Sequence, residues 1–338
     1  MLSLWAACGL PSTRKGLLST LVTGAAGFIG SHLAEALLRA GEPVVGLDNL
    51  DPFYAISAKE RNLDALRAFP HYRDVRGDIR DPGAWEALPD DVDAVVHLAA
   101  RAGVRPSLEQ PALYADVNVT GTTRMLEFAR VRRVSGIVFG SSSSVYGESS
   151  AVPFSERARA DDPISPYAAT KRAGELLCRA AHRATGMSVV VTRLFTVYGP
   201  RQRPDLAVHK FARLLLQGRP IPRYGDGTSA RDYTYVDDAV AGIGRALALA
   251  RRDGGVFETV NVGSDHPIEL NELIRVLGEE MGVEPAVEQH PHQPGDVTRT
   301  WADLTHARAL LGYSPSMDFR EGVRSFVRWL ESERTADR

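Results

Sequence analysis

The chain has 338 residues, with 40 lysines and arginines against 42 aspartates and glutamates, a formal net charge of -2. That near balance gives no general attraction to nucleic acid or to an anionic membrane, so the expected partner is a small molecule. Two cysteines, Cys8 and Cys178, support neither a disulfide framework nor a cysteine metal site, and nine histidines without an H-x-x-x-H spacing give no helical one, so no metal is expected.

Residues 1–16 read as a tail: the apolar start is too short, and Arg14 and Lys15 stand on the wrong side of it, for a secretory signal. No segment has the length to cross a bilayer, so a cytoplasmic protein is expected. Structure begins with the apolar run Leu17–Val22, which enters Thr23-Gly24-Ala25-Ala26-Gly27-Phe28-Ile29-Gly30 and then the helical pattern Leu33, Ala36, Leu37, Ala40, closed by Gly41. Strand, glycine turn and helix in that order suit a pyrophosphate resting on amides at a helix N-terminus, where a Cβ would hold it away. Gly24, Gly27 and Gly30, with Phe28 and Ile29, are therefore candidate cofactor contacts. The next strand, Pro43–Leu47, ends in Asp48-Asn49, about twenty residues beyond the glycines, where an acidic side chain can accept bonds from a ribose and repel a 2′-phosphate. NAD is expected rather than NADP; an Asp capping a loop is the plainer alternative.

Further apolar strands are expected at Tyr72–Val75, Ala94–Leu98, Ile137–Phe139 and Val189–Leu194, with helical stretches at Ala112–Arg130 and Tyr167–Ala184 between them. Strands alternating with helices predict a Rossmann-type α/β fold, a doubly wound parallel sheet. Such sheets bind ligands beyond the carboxyl ends of their strands. Asp78-Ile79, Leu98-Ala99-Ala100 and Ser141-Ser142 stand at those ends; Asp78 is placed to bond an adenine amino group, and Ala99-Ala100 to let a cofactor lie on bare backbone.

Tyr167 and Lys171, four residues apart, fall on one helix face. A free phenol, with a pKa of ~10, is a weak base, and an ammonium nearby lowers such a value by roughly one to three units. The pair thus predicts a phenolate that removes a proton from a sugar hydroxyl, although an isolated Tyr-x-x-x-Lys equally describes an exposed surface pair. After Leu194 the prolines at 200, 204, 220 and 222 and the glycines at 225 and 227 predict a loop-rich second lobe. The expected division is a nucleotide domain over 17–192, a sugar-binding lobe over 193–233 and 263–334, and a return of 234–262, with its strand Val256–Val262, to the first sheet.

Together Thr23–Gly30, Asp48-Asn49, Gly77-Asp78-Ile79, His97–Ala100, Ser141–Gly147, Tyr167-x-x-x-Lys171 and Arg231-Asp232-Tyr233 resemble the extended short-chain dehydrogenases that act on nucleotide sugars. Arg101–Leu108, Phe195–Asp205 and Asp51–Tyr54 followed by Ala58–Asn62 narrow the resemblance to UDP-glucuronate 4-epimerases, one of a moenomycin-type antibiotic pathway included. The resemblance implies NAD-dependent interconversion of UDP-glucuronate and UDP-galacturonate in a homodimer built on the helices Ala112–Arg130 and Tyr167–Ala184.

It implies that Tyr167 takes the C4 hydroxyl proton as hydride leaves for the nicotinamide. Lys171 lowers the tyrosine's pKa and bonds the nicotinamide ribose, while Ser142 and Ser144 hydrogen-bond the reacting oxygen. The oxidised sugar is a β-keto acid, which loses carbon dioxide unless its carboxylate is held near the ketone plane. Arg203, with Thr196, is the expected clamp, because a guanidinium fork matches a carboxylate; a solvated loop with Arg201, or a pyrophosphate contact, is the alternative. Arg231 is the family's usual diphosphate contact, and Arg105, Ser143 and Asp296 join the expected sugar-nucleotide contacts. Gln293 replaces an arginine of many galactose epimerases. Asn118 either orients the serine strand or the cofactor, or caps a helix start.

Relatives that eliminate water carry an acidic pair where this chain has Ser143-Ser144, and decarboxylating relatives a Glu at the second position. UDP-glucose epimerases usually show an asparagine in place of Thr196. A noncatalytic NAD sensor on the same fold would need neither the serines nor Tyr167 and Lys171.

Overall fold

The structure, a computed structural model, describes residues 18–148, 151–252, 254–291 and 297–336. The tail with Cys8, and likewise Gln293 and Asp296, lie outside the described residues.

Strands follow one another in chain order as β1 (Ser19–Thr23), β2 (Val44–Asp48), β3 (Tyr72–Arg76), β4 (Val92–His97), β5 (Gly136–Ser142), β6 (Val189–Leu194), β7 (Thr196–Tyr198), β8 (Ile221–Tyr224), β9 (Ala230–Tyr235), β10 (Phe257–Val262), β11 (Pro267–Glu269) and β12 (Val287–His290). Seven of them form one sheet in the order β10-β6-β5-β4-β1-β2-β3, every pair parallel. Its inner strands are apolar on both faces, as a sheet covered by helices on both sides requires. Along β1, Leu21 enters one core layer and Val22 the other. The Leu21 layer lies under the helices Gly121–Arg132 and Pro166–Thr185 through Met125, Phe128 and Cys178. The Val22 layer, with Leu33, Leu37, Ile243 and Leu247, packs the helices Phe28–Arg39 and Val236–Ala250. The outermost strand β3 carries Arg73, Asp74 and Arg76, charges that suit an edge.

The second lobe holds a three-stranded sheet, β11-β9-β7, and the pair β12-β8. After β9 the helix Val236–Ala250 packs on the main sheet, and β10 joins it beside β6, from Phe257↔Val189 to Val262↔Leu194.

Two local features differ from the expectation. Strand β5 runs past Phe139 to Ser142, so Ser141 and Ser142 are strand residues. The stretch Ala112–Arg130 is not one regular helix: Pro111–Ala115 and Gly121–Arg132 are joined by a π-helical turn, Asp116–Thr120. Such turns widen a helix by one residue and cluster at functional sites. Here the turn carries Asn118, which is buried.

Candidate active site

Strand order reverses between β1 and β4, and a cleft opens at their carboxyl ends, the expected place for a ligand in such a sheet. A cavity of about 490 Å³ runs from Gly24 and Gly27 past Asp48, Asp78 and Ala99 to Ser142, Tyr167 and Arg203.

The three glycines do different work. Gly24 has φ +75°, and a Cβ there would stand 2.9 Å from Ala99 N; a Cβ on Gly30 would stand 2.0 Å from Gly24 O. Both are small so that the turn can pack on β4 and on its own helix. Gly27 is the N-cap of the helix Phe28–Arg39 and offers no side chain to the first-turn amides. These amides, beside the cleft-lining Phe28 and Ile29, remain available for an anion.

Asp48 accepts from Ala26 N at 3.1 Å and Leu50 N at 2.8 Å, so its carboxylate shapes the turn as well as facing the cleft; burial raises its pKa. Asn49 donates to Asp78 at 2.8 Å, and Arg80, in hydrogen bonds and an ion pair, holds the Asp78 carboxyl down at about 2. Ile79, Leu98, Ala99 and Ala100 line the same cavity.

A buried relay ties the glycine turn to the π turn. Thr23 Oγ1 accepts from Leu98 N and Ala99 N and lies 2.9 Å from His97 Nδ1. The other ring nitrogen lies 3.3 Å from Thr122 Oγ1, which donates to Asn118 O at 2.6 Å. With two amides already on Thr23 Oγ1, its proton points at Nδ1, which places the histidine proton on Nε2. Burial pushes His97 down to about 3, so the ring is neutral. Asn118 accepts from Arg101 N at 2.8 Å and donates to Arg101 O at 3.0 Å and Thr170 Oγ1 at 2.9 Å. It is therefore not a helix cap: it holds the loop after β4 against the helix that carries Tyr167.

That helix begins with Ser165, whose Oγ accepts from Ala168 N at 3.1 Å, and Pro166, a strong start signal that puts Tyr167 in the first turn at the cleft. Tyr114 packs edge-on to Tyr167 at 6.3 Å. Burial raises the Tyr167 pKa, opposed by a hydrogen bond with Ser142 and by the charge of Arg203. Lys171, expected to lower that pKa, donates from Nζ to Gly140 O at 2.8 Å and sits over the Phe139 ring of β5. Burial lowers Lys171 to about 8, with Glu175 acting against that fall.

Glu175, to which sequence spacing assigns no role, is 4% exposed and accepts from Ser141 Oγ at 2.6 Å and from both Nε and Nη2 of Arg193, at 2.9 and 2.8 Å. Ser141 thus faces a buried ion pair while lining the cleft beside Ser142. A signal is nonetheless present in the sequence: Glu175 continues the Tyr167, Lys171 face by one more turn.

On the sugar side, Ser142 Oγ donates to Ser144 Oγ at 3.1 Å and accepts from Ser144 N at 3.2 Å, and Ser143 lines the cavity with them. Thr196, at the start of β7, Arg203 and Arg231 line it as well. Arg203 pairs with Asp205 and Arg201 with Glu35 at 2.7 Å, both guanidiniums largely covered, so neither belongs to a solvated loop. Arg231 donates to Ala230 O at 3.0 Å. Arg105 is exposed and lies over the Tyr224 ring at 5.4 Å, outside the residues that line the cavity.

Among further lining residues that were not site candidates from sequence are Phe53, Tyr54, Lys59 and Arg101. Lys59 donates to Asp51 O at 2.7 Å and Arg101 pairs with Asp51, folding the segment after β2 over the cleft. The buried Tyr54 hydroxyl has no hydrogen-bond partner among the described residues. Polar residues on the inner face of the helix Ile56–Arg67 are the sequence trace of this cover: Lys59 and Asn62 are buried there.

The open helix terminus at Gly27 and the length of the cavity fit a dinucleotide lying with its reactive end near Tyr167. A family model described as GDP-mannose 4,6 dehydratase matches residues 21–326. Serines stand at 143 and 144, where the resemblance ascribes an acidic pair to dehydratases. UDP-glucuronate 4-epimerase of Thermodesulfobacterium geofontis is 40% identical over 312 residues, 91% of this chain and 95% of its own. UDP-glucuronate 4-epimerase 4 of Arabidopsis thaliana is 40% identical over 344 residues, 97% of this chain and 78% of its own. The crystal structure of UDP-glucuronic acid 4-epimerase from Bacillus cereus with UDP-glucuronic acid and NAD superposes with a TM-score of 0.87 at 35% identity, over 94% of this chain and 100% of that one. Since the match runs from the first strand to the last helix and takes in both walls of the cleft, the chain belongs to the nucleotide-sugar epimerase and dehydratase family and groups with its UDP-glucuronate 4-epimerases.

Proposed function

We infer that this protein interconverts UDP-glucuronate and UDP-galacturonate at C4, without decarboxylation, using NAD that is regenerated in each turnover. The observation that carries the reading is the meeting of Tyr167, Ser142, Ser144 and Arg203 in one cleft, with no carboxylic acid at 143 or 144 to assist elimination. Bound NAD supplies a hydride acceptor at C4 and returns the hydride later.

Tyr167, as phenolate, takes the C4 hydroxyl proton, and Ser142 and Ser144 hydrogen-bond the oxygen that becomes a ketone. Lys171 holds a positive charge behind the site through Gly140 O and bonds the nicotinamide ribose. The keto sugar turns over and takes hydride on its other face while Tyr167 returns the proton. Arg203 and Thr196 hold the C5 carboxylate near the ketone plane, where the C5–C6 bond overlaps poorly with the carbonyl and carbon dioxide is retained. Asp48 and Asn49 take the adenosine ribose, Arg231 the diphosphate, and the lobe from residue 193 the sugar nucleotide.

We assign the working form as a cytoplasmic homodimer. The exposed Leu108 and Leu176, on the helices Val104–Glu109 and Pro166–Thr185, offer apolar surface for a second copy. Among the described residues no helix is long and apolar enough to cross a membrane.

The test is to incubate the pure protein with UDP-glucuronate and no added NAD, follow the sugar nucleotides by proton NMR and trap carbon dioxide. UDP-galacturonate without carbon dioxide is the expected result. A pentose product would identify a decarboxylase, and turnover of UDP-glucose in its place a neutral-sugar epimerase.

A further inference from the structure

The guanidinium of Arg203 already holds a carboxylate. Asp205 accepts from Nε at 3.0 Å and from Nη2 at 2.8 Å, a bidentate pair two residues apart. Pro204 stands between them, and Leu206 N donates to Arg203 O at 3.2 Å, so the backbone turns back and the two side chains run side by side. The face of the guanidinium lies on the Phe53 ring at 5.3 Å, and Arg101 lies over the same ring at 5.0 Å. One edge and one face of Arg203 are therefore taken by protein.

The donors left over are on Nη1 and Nη2, which together make a second fork. Arg203 lines the same cavity as Tyr167 and Tyr54, so the edge that Asp205 leaves over is the one available to a ligand in that cleft. A long side chain without the Asp205 pair would have its rotamers to choose from, and a carboxylate bound to it would follow its motion.

We propose that Asp205 is a positioning residue: it locks the inner edge of Arg203 so that the outer edge fixes the orientation of the substrate carboxylate, and it thereby decides whether the keto intermediate is epimerised or loses carbon dioxide. The proposal rests on the assignment of Arg203 to that carboxylate. When the carboxylate swings out of the ketone plane, the C5–C6 bond breaks and carbon dioxide leaves. The electron pair passes into the C4 carbonyl as an enolate, which takes a proton at C5 to give a 4-keto pentose, and the hydride taken from C4 stays on the cofactor. Asp205 touches neither substrate nor reacting atoms in this role; it acts only through Arg203.

The experiment compares the holoenzyme with Asp205→Asn, Asp205→Glu and Arg203→Ala, measuring carbon dioxide released per epimerisation and KM for UDP-glucuronate. Calorimetric affinities for UDP-glucuronate and UDP-glucose accompany them. Asp205→Asn is expected to raise carbon dioxide per turnover at least ~10-fold and to weaken UDP-glucuronate severalfold, with UDP-glucose affinity within ~2-fold of wild type, since a neutral sugar makes no use of the fork. Asp205→Glu, which keeps a carboxylate, is expected to lie nearer wild type in both readouts. A purely structural role would weaken both ligands alike and leave the partition unmoved, and that result overturns the proposal. If Arg203→Ala leaves the partition unmoved, the clamp itself is elsewhere and the proposal falls with it; if the wild type does not turn over UDP-glucuronate, the proposed function falls first. Should Asp205→Asn fail to fold, Asp205→Ser and the two calorimetric affinities decide between the same outcomes.

Discussion

At the scale of single residues the proposed base is a phenol in a buried setting. Burial raises Tyr167, a hydrogen bond with Ser142 and the charge of Arg203 oppose that rise, and Lys171 donates to Gly140 O. Tyr167→Phe is expected to lower epimerisation by roughly 10²–10⁴-fold while NAD remains bound, read by NMR turnover and by absorbance of extracted cofactor. Lys171 sits at about 8 against an ordinary 10.5, so its positive charge is lost as pH rises through about 8. Turnover is expected to fall there, and Glu175→Gln, which removes the carboxylate that raises Lys171, is expected to move the fall to lower pH. A pH–rate profile unchanged by that substitution would detach Lys171 from the alkaline limb. The residues proposed to do chemistry were legible as candidates because their types and spacings are demanding. The partners that aim them were not: Asp205 beside Arg203, Glu175 beside Ser141 and Arg193, and Asn118 across to Arg101 are set by side-chain contacts that spacing does not encode.

At the scale of elements, the turn from β1 into the helix Phe28–Arg39 is defined by backbone contact. An alanine at 30 would bring its methyl against Gly24 O, and carbonyls of a packed turn yield little. Gly30→Ala is expected to cost about 2–3 kcal/mol in urea unfolding and to reduce retained NAD, whereas an alanine at the open Gly41 would meet no atom within 4 Å, though its φ of +82° still favours glycine. Strands and helices of the first half followed the apolar pattern closely because the inner strands are buried on both faces, the edge strand β3 being the exception. The π turn at Asp116–Thr120 was not read from the pattern; it carries Asn118, whose amide bonds the loop after β4 through Arg101, a contact that local spacing does not encode.

At the scale of the whole molecule, burial lowers His209 and, further, His97 and His32, these two to about 3 and about 4 against 6.5 in the unfolded chain. Between 6.5 and those values the unfolded chain binds more protons than the folded one, so stability falls as pH drops through that window. From pH 7.5 to pH 5 the two together remove roughly 4 kcal/mol, and His97→Gln is expected to remove about half of that pH dependence in urea titrations, whatever its effect at neutral pH. The sequence by itself determined the doubly wound sheet and the glycine turn with Asp48 after the second strand, and it singled out Tyr167, Lys171 and the serines as candidates, since periodicity and local spacing carry that information. Tertiary structure alone decided how β10 closes the sheet beside β6, how the segment from Asp51 folds over the cleft, and which way Lys171 and Arg203 point. Those depend on contacts between residues far apart in the chain and on which polar group finds a partner once water is excluded, and neither is written in any local pattern.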